Sequence, residues 1–296
     1  VRGRHGQEGV DERVLFRGGI KMSLRADFHA HTVYGDGRNT PAEMVKAAWD
    51  TGLTDFGISE HGFLSGYAYS EDGTFGMNDG KYRLYMEEME ELKERYRGRL
   101  NLHIGIERDS MGPLQPAEYV IGSVHQIIKD KEAVMVDESE EILKDAVNRL
   151  WGGDWYGMTA DYYAREAKAA ELTACDIIGH VDLITKFNQD GHLFDENCDA
   201  YLEPAMAAVR ELSKSGALFE INTGAMSRGF RREPYPSPAL LKEIRRLGGK
   251  IIINSDSHRT DTLAWQFQAA VRLAKECGFD GSYILAPEGG FNKIMF

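Results

Sequence analysis

The stretch "RADFHAHTVYGDG", residues 25–37, contains the first of the segments from which the fold class of this chain is predicted. It carries His29 and His31 at the end of a short apolar run, followed by Asp36 between two glycines. Side chains two positions apart on a β-strand point to the same face, so the two imidazoles face the same way. A lone pair of this kind is a weak signal, because a single histidine at a strand end is commonly structural. The rest of the chain has to decide whether the pair belongs to a site.

Six further segments repeat the same pattern of a short apolar or β-branched run that ends in polar residues. They are "DFGISEH" (55–61), "NLHIGIE" (101–107), "YVIGSVH" (119–125), "DIIGH" (176–180), "LFEINTG" (218–224) and "KIIINSDSH" (250–258), with a weaker eighth candidate in "SYILA" (282–286). Amphipathic helix signals separate them. The alternation predicts βα units, a mainly parallel sheet and right-handed crossovers. Seven or eight such units in about 270 residues favour a closed α/β barrel over an open sheet.

The helix signals are clearest in two segments. "TPAEMVKAAWDTG" (40–52) offers Thr40 as N-cap, Pro41 at the first helical position, Glu43 to complete a capping box and Gly52 as a stop. "SPALLKEIRRLGG" (237–249) repeats the design. Between the predicted units, the Gly- and Tyr-rich loop 62–80 is long enough to lie over the mouth of the barrel as part of a substrate pocket.

Composition restricts the partners of the chain. Its 296 residues are 42% hydrophobic and 28% charged, with a formal net charge of -12. Such a charge argues against nucleic acid or an anionic membrane as partner, whereas a local cationic pocket could still bind a small phosphorylated metabolite. We expect residues 1–22 to be an N-terminal extension and residues 23–296 to form a single domain. The pattern does not indicate an oligomeric state.

The cysteines and the absence of a long apolar run indicate the compartment. Cys175, Cys198 and Cys277 are odd in number, far apart and without a CxxC pair, which disfavours a disulfide framework. No run approaches the eighteen apolar residues of a membrane span. We therefore expect a cytoplasmic protein.

The histidines answer the question raised by the first stretch. Six of the nine histidines of the chain fall at the C-terminal ends of predicted strands, where parallel barrels place their active-site groups. Three carboxylates lie near them in the same pattern. The six histidines and three carboxylates together are His29, His31, Asp36, His61, Glu107, His125, His180, Asp256 and His258. Imidazole nitrogens and carboxylate oxygens are the ligands that zinc, manganese and iron accept. The constellation predicts a metal centre at the mouth of the barrel.

The order of these motifs resembles the PHP (polymerase and histidinol phosphatase) superfamily. The resemblance runs from about residue 27 to residue 278 and includes "HAHT", "GDG", "SEHG", "GIE", "GSVH", "GHVD" and "SDSH". "SEHGF", "YVIGSVHQI" and "FEINTGAMSRG" resemble the monofunctional histidinol-phosphatase branch. The chain departs from that branch at "GIERDSM", where GIEVDY is expected, and in a long insertion around residues 150–165.

The resemblance implies a distorted (β/α)7 TIM-like barrel with three divalent ions, which could be Zn, Mn or Fe. The implied ligand sets are His29, His31, Glu107 and Asp256 for one ion; Glu107, His125 and His180 for a second; and Asp36, His61 and His258 for the third. Glu107, Asp256 and His258 would serve catalysis. A hydroxide that bridges the ions would attack phosphorus in line, so no side-chain nucleophile is needed.

Four further residues are candidate helpers. Arg228 resembles the phosphate-clamping arginine of the phosphatase branch, although a loop arginine is commonly only solvated. Lys186 is a second candidate phosphate contact. Glu60 and Asp182 each stand beside a ligand histidine, where a carboxylate can orient the imidazole, although either could be an ordinary loop acid or helix cap.

The implied activity is hydrolysis of L-histidinol phosphate to L-histidinol and phosphate in histidine biosynthesis. Three alternatives stay open: a PHP phosphoesterase for nucleotide or sugar phosphates, an amidohydrolase, whose barrel also begins with HxH, and a metal-binding module without catalysis. Pairing of Asp256 with His258 beside Glu107 argues against the amidohydrolase, and the full ligand set argues against the non-catalytic module.

Overall fold

The computed structural model of the chain describes residues 24–67, 71 and 74–296. The extension expected at residues 1–22 lies outside the described residues. The strands are β1 (Ala26–Asp27), β2 (Asp55–His61), β3 (Leu64–Ser65), β4 (Thr74–Phe75), β5 (Asn101–Asp109), β6 (Tyr119–Ser123), β7 (Gln126–Lys129), β8 (Glu132–Met135), β9 (Ile177–Ile178), β10 (Leu218–Asn222), β11 (Ile251–Asn254), β12 (Gly281–Leu285) and β13 (Phe291–Met295).

The helices follow the strands in the alternation that the sequence predicts. They are α1 (Pro41–Thr51), α2 (Asp79–Tyr96), α3 (Glu140–Trp151), α4 (Trp155–Glu166), α5 (Ala169–Thr173), α6 (Asp199–Leu212), α7 (Gly224–Ser227), α8 (Pro238–Arg246) and α9 (Phe267–Glu276), with short 3-10 turns at Leu183–Thr185, Gln189–Gly191 and Thr260–Thr262. In the described part of the chain, no helix combines the length and the apolar character that a membrane crossing requires.

Seven parallel strands form the central sheet in the order β1-β2-β5-β6-β9-β10-β11. The two edges meet through a parallel bridge between Ala30 and Ser257. There the amide of His31 donates to the carbonyl of Ser257 at 2.8 Å, and the amide of Ser257 donates to the carbonyl of His29 at 3.1 Å. The fold is the predicted distorted (β/α)7 barrel, nearly closed. The eighth candidate, "SYILA", lies instead in β12, which pairs antiparallel with β13 outside the barrel.

Aromatic side chains fill the barrel interior between small residues. The hydroxyl of Tyr119 donates to the carbonyl of Phe28 at 2.6 Å, and both residues are buried. A Cβ atom at Gly105 or Gly57 would collide with the Tyr119 ring. Glycine is therefore required at these two positions because it lets a large ring occupy the space between neighbouring strands.

Helix α1 begins and ends where the sequence predicts. Thr40 Oγ1 accepts a hydrogen bond from the Glu43 amide at 3.3 Å, and a Glu43 carboxylate oxygen accepts one from the Thr40 amide at 2.9 Å. Gly52 ends the helix in the left-handed region with φ 86°. Helix α8 begins at Pro238 as predicted, but the Ser237 side chain makes no capping hydrogen bond.

The loop at 62–80 contains the short hairpin of β3 and β4, paired antiparallel. Leu64, Tyr67 and Phe75 from this loop line a cavity at the C-terminal ends of the barrel strands. The described part of the loop therefore contributes to a pocket at the mouth, as its length and composition predict.

Candidate metal centre

All nine predicted ligand residues gather at the C-terminal ends of the barrel strands. They are His29 and His31 after β1, Asp36 in the following loop, His61 at the end of β2, Glu107 in β5, His125 after β6, His180 after β9, and Asp256 and His258 after β11. The parallel sheet brings them together because each strand ends at the same rim.

Glu107 lies at the middle of the group and is 2% exposed. Its Oε1 atom lies 3.0 Å from His180 Nε2 and 3.2 Å from His125 Nε2, and it accepts a hydrogen bond from Ser123 Oγ at 2.7 Å. Its Oε2 atom faces three more imidazoles: His61 Nδ1 at 3.0 Å, His29 Nε2 at 3.3 Å and His31 Nε2 at 3.5 Å. One carboxylate is thus shared among five histidines.

The two other predicted carboxylate ligands, Asp256 and Asp36, contact histidines of the same group. Asp256 Oδ1 lies 3.3 Å from His31 Nε2 and 3.7 Å from His29 Nε2. Asp36 Oδ1 lies 3.2 Å from His258 Nε2 and 3.4 Å from the Nε2 atom of His61. Each carboxylate oxygen therefore converges with imidazole nitrogens in the manner of a metal ligand set.

Three overlapping groups have ligand atoms within 4.8 Å of one another: His31, Asp36, His61 and His258; His29, His31 and Glu107; and His61, Glu107 and His125. The first contains the expected set of Asp36, His61 and His258 with His31 added, and the second contains three residues of the expected set of four, without Asp256. The third replaces the expected His180 by His61, although His180 also contacts Glu107. How the ligands divide among separate ions stays a prediction.

The unpaired nitrogens of the site fit metal ions. The Nε2 atoms of His29 and His31 are buried and make no hydrogen bond with any described residue. A buried polar atom without a partner is costly, and such atoms are rare in native proteins. These two Nε2 atoms face the carboxylates of Glu107 and Asp256, and nitrogen and oxygen donors so arranged can bind a divalent ion. The donor set therefore fits the metals that the sequence implies.

The charges of the site indicate the same need for cations. Burial alone would lower the pKa of His61, but Glu107 and Asp36 outweigh it and raise this pKa to about 10. Burial alone would raise the pKa of Glu107, yet the surrounding imidazoles, His125 foremost, hold it well below its usual value. The carboxylates are therefore held ionised, and positive charge has to balance them. Metal binding would displace protons from the imidazoles, which links affinity to pH.

Glu220 orients two of the histidines, a role that the sequence reasoning missed. Its Oε1 atom lies 2.7 Å from His29 Nδ1, and its Oε2 atom accepts a hydrogen bond from the His180 amide at 3.1 Å. The carboxylate is 1% exposed and also accepts from the side-chain amides of Asn222 and Asn254, each at 2.9 Å. The signal was present, because a glutamate in the middle of the apolar strand "LFEIN" has to find partners.

Asp109 is a second orienting carboxylate that was not predicted. Its Oδ2 atom lies 3.3 Å from His125 Nδ1 and accepts a hydrogen bond from the His125 amide at 2.9 Å. The spacing could have revealed it, because Asp109 follows Glu107 by two positions on β5 and so shares its face.

The two predicted orienting carboxylates behave differently. Glu60 Oε1 lies 3.4 Å from His31 Nδ1, and its other oxygen accepts hydrogen bonds from the amide and hydroxyl of Thr32 at 2.8 and 2.6 Å. Asp182 makes no hydrogen bond to the His180 ring, whose Nδ1 atom has no partner among the described residues. Its carboxylate instead accepts from the Ser237 amide at 2.8 Å, because the chain turns into the 3-10 segment Leu183–Thr185 directly after it. The prediction for Asp182 is therefore corrected.

Arg228 lies at the edge of the centre. Its Nη2 atom lies 2.9 Å from Asp256 Oδ2, and its Nη1 atom donates to the Asp256 carbonyl at 2.9 Å and lies 3.1 Å from His258 Nδ1. Gly224 makes this approach possible, since a Cβ atom there would lie 2.7 Å from Asp256 Oδ2 and 2.8 Å from Arg228 Nη2. The Nε atom of Arg228 is buried and has no hydrogen-bond partner in the described structure.

Lys186 lines the cavity that several candidate ligands also line. Its Nζ atom donates to the Asp137 carbonyl at 2.7 Å and lies 3.4 Å from Asp137 Oδ2. The ammonium group also stands 5.3 Å from the centre of the Phe230 ring and 5.5 Å from that of Phe187. A cation therefore lines the pocket where the sequence predicts one.

A cavity of about 320 Å³ is lined in part by the candidate metal ligands. Its lining is Asp36, His61, Gly62, Leu64, Tyr67, Phe75, Glu107, Asp109, His125, Met135, Asp137, Glu138 and Lys186. The volume falls in the range of small-molecule sites. One part of the wall consists of candidate ligands, and the other part of aromatic, apolar and charged side chains.

Known proteins share this sequence pattern and fold. The PHP domain family model matches residues 27–224. A probable histidinol-phosphatase of Deinococcus radiodurans is 27% identical over 271 residues, which cover 87% of this chain and 95% of that protein. A putative histidinol phosphatase structure from Listeria monocytogenes superimposes with a TM-score of 0.70 at 20% identity, covering 82% of this chain and 98% of that one. A histidinol phosphate phosphatase structure from Lactococcus lactis, complexed with zinc, L-histidinol and phosphate, gives 0.66 at 20% identity, covering 91% and 99%.

Proposed function

Because the chain belongs to the PHP domain family, we propose that it is a metal-dependent phosphomonoesterase that hydrolyses L-histidinol phosphate to L-histidinol and phosphate. The Deinococcus relative is named as a probable histidinol-phosphatase, and the match covers nearly its whole length. The Lactococcus structure contains zinc together with L-histidinol and phosphate, the two products of that reaction. The reaction would belong to histidine biosynthesis.

One observation carries the proposal. The nine imidazoles and carboxylates converge on one another around Glu107, and the buried Nε2 atoms of His29 and His31 have no other partner in the described structure. Four of the nine, Asp36, His61, Glu107 and His125, line a cavity large enough for a small phosphorylated metabolite. Divalent ions held there, up to three of Zn, Mn or Fe, would activate a water molecule and neutralise charge on the phosphoryl oxygens.

The residues of the chain would divide the remaining work between them. Glu220, Glu60 and Asp109 hold the imidazoles in fixed orientations, which keeps their other ring nitrogens aimed into the centre. Arg228 can donate through its unpaired Nε–H to a phosphoryl oxygen while it still holds Asp256. Lys186 stands on the pocket wall, where its charge would attract the phosphate dianion.

Two further features complete the proposal. We take residues 23–296 as one catalytic domain, which the large core cluster from Leu24 to Leu285 supports. We also propose a cytoplasmic location, and the three free thiols of Cys175, Cys198 and Cys277 support a reducing compartment.

A substrate panel tests the function. Metal-loaded protein would be assayed with L-histidinol phosphate, nucleoside monophosphates, sugar phosphates and an amide substrate, and ranked by kcat/KM. We expect L-histidinol phosphate to rank first. A higher rank for a nucleotide or sugar phosphate would replace the substrate, turnover of the amide alone would indicate an amidohydrolase, and no turnover of any compound would indicate a non-catalytic metal-binding module.

A further inference from the structure

The cavity continues away from the metal centre along an aromatic wall. The rings of Tyr67 and Phe75 stack with their centres 5.0 Å apart and an interplanar angle of 29°. Phe75 in turn lies 4.9 Å from the ring of His61, one of the candidate ligands. The wall therefore extends from His61 through Phe75 to Tyr67 along the cavity, where the organic part of a bound phosphate ester would lie.

A carboxylate stands at the far end of this wall. Tyr67 donates a hydrogen bond from its hydroxyl to Glu138 Oε2 at 2.6 Å, and Glu138 lines the same cavity. The bond fixes one oxygen of the carboxylate and leaves Oε1 for another donor. Burial first, and then the hydrogen bond to Glu138, raises the pKa of Tyr67 well above its ordinary value, so the phenol keeps its proton and stays a hydrogen-bond donor.

The charges of the outer cavity are unequal. Asp137 already holds the one lysine of the lining, Lys186, at 3.4 Å. Glu138 forms no ion pair with a lysine, arginine or histidine of the described residues. A negative charge without a matching cation among the described residues therefore lines the cavity beside the rings of Tyr67 and Phe75.

We infer that Glu138, with the Tyr67–Phe75 stack, selects phosphomonoesters whose alcohol part carries a positive charge, as an ammonium or imidazolium group does. This inference rests on the proposed function, since it assumes that phosphate occupies the metal centre. A cation gains from both features, because a carboxylate accepts its hydrogen bonds and the ring faces attract its charge. A neutral sugar or nucleoside gains no such ion pairing, and an alcohol part that itself carries a carboxylate would be repelled.

Tyr67 acts in this arrangement as a positioning residue. Its hydroxyl holds the Glu138 carboxylate in one position before the substrate binds. The exposed glutamate therefore loses less conformational entropy on binding. Removing the hydroxyl should therefore weaken the selection for cations without abolishing it.

A matched pair of small substrates isolates the effect. 2-Aminoethyl phosphate and 2-hydroxyethyl phosphate differ in one group, which is cationic in the first and neutral in the second. For wild-type protein we expect kcat/KM to favour the amine. In Glu138→Gln this preference should fall about five- to tenfold, mainly through KM, because a charged hydrogen bond to the bound substrate is lost. The effect stays modest because solvent screens an accessible charge. Tyr67→Phe should show a smaller fall. Glu141→Gln, an exposed glutamate three positions away and outside the cavity lining, should keep the wild-type preference.

A binding measurement covers the case in which turnover is too slow. Calorimetric titration of the metal-loaded protein with L-histidinol in the presence of phosphate should show weaker binding to Glu138→Gln than to wild type or Glu141→Gln. High salt should reduce the difference, because it screens the charge.

The outcomes separate the inference from the function. If Glu138→Gln lowers kcat/KM equally for both substrates, or leaves the preference and the L-histidinol affinity unchanged, Glu138 has no part in selection and the inference is wrong. If the preference depends on Glu138 but L-histidinol phosphate ranks below other cationic phosphates, the proposed function is wrong and the inference stands.

Discussion

Arg228 and Asp256 form an ion pair at the edge of the metal centre, with Nη2 2.9 Å from Oδ2, and a second hydrogen bond joins Nη1 to the Asp256 carbonyl. Burial acts to raise the pKa of Asp256, but Arg228 first, and then the neighbouring imidazoles, hold it well below its usual value. The candidate phosphate clamp is therefore also the group that fixes a candidate metal ligand. If Arg228 binds phosphate and Asp256 binds metal, as proposed, substrate binding and metal binding would be linked through this pair.

Arg228→Ala should lower kcat/KM by a factor that corresponds to about 1.5 to 3 kcal/mol, because a charge-assisted hydrogen bond to phosphate is lost. The link to Asp256 predicts in addition a lower metal content. Steady-state kinetics and metal analysis of the same preparation would measure both effects. Arg228→Lys should retain part of the charge but not the forked geometry. Wild-type kinetics in both variants would remove Arg228 from the site and make Lys186 the better candidate.

Glu107→Ala should lose more metal than His61→Ala. Glu107 faces five imidazoles through two oxygens, so it can serve more than one ion, whereas His61 supplies one ring. Metal stoichiometry after dialysis against metal-free buffer would compare the two variants. Equal or greater loss in the His61 variant would contradict a shared role for Glu107.

Glu220→Gln should reduce activity or metal affinity about 10- to 100-fold, the usual cost of losing a carboxylate that orients a ligand histidine. The amide can keep some hydrogen bonds to Asn222 and Asn254 but lacks the negative charge that the His29 ring faces. Metal titration followed by kcat/KM measurement would detect the change. The matched control is Glu233→Gln, an exposed glutamate that should behave as wild type.

Removal of divalent metal by a chelator should abolish activity, and added Zn, Mn or Fe should restore it. The buried carboxylates and unpaired imidazole nitrogens also predict that metal raises the thermal unfolding temperature, since an ion that binds only the folded state stabilises it. Scanning calorimetry with and without metal would measure this shift. Full turnover by a protein verified to be metal-free would refute metal dependence.

Glu166→Gln should make the protein less sensitive to alkaline pH. Glu166 is 1% exposed, and burial raises its pKa well above the usual value, against weaker effects of His125 and Tyr162. A raised pKa means that the acid favours folding below its unfolded pKa and that this contribution is lost as the pH rises toward the folded pKa. Across that window the wild type should lose about 1.4 kcal/mol of unfolding free energy per pH unit relative to the variant.

Urea unfolding at several pH values in chelator would measure the difference. The two proteins should be alike below about pH 4.5, where the carboxyl is neutral in both states. The control is Glu171→Gln, at an exposed position of α5, which should follow the wild type. A constant gap between wild type and Glu166→Gln at every pH would show that ionisation of Glu166 is not the cause.

The barrel and the convergence of the nine side chains at its rim were predictable because both depend on periodic patterns. Each strand ends in a polar residue, and parallel strands bring those ends to one rim, so the rings of His31 and His258 meet, with centres 4.4 Å apart, despite their separation in the chain. The capping signals of α1 were confirmed because they depend only on neighbouring residues. The position of "SYILA" could not be predicted from its own residues, because a short apolar strand fits either a barrel or a hairpin.

The orienting carboxylates were harder to predict because their partners depend on side-chain direction. Asp182 stands two positions from His180, yet the turn that follows directs its carboxylate to Ser237. Glu220 is far from His29 in sequence and contacts it across the barrel. Asp256 adds a backbone feature without a clear sequence signal, since its φ of 50° lies in the left-handed region, which aspartate tolerates better than most residues.

The bridge between Ala30 and Ser257 has a consequence for amide hydrogen exchange. The hydrogen bonds that join the two barrel edges there are made by the backbone of His31, His29 and Ser257, whose neighbours are the candidate ligands on both sides. An ion bound by His29, His31 and Asp256 would join the same two edges of the barrel sheet. The amide protons of His31 and Ser257 should therefore exchange with deuterium more slowly when metal is bound, while amides in β12 and β13, outside the barrel, keep their rates.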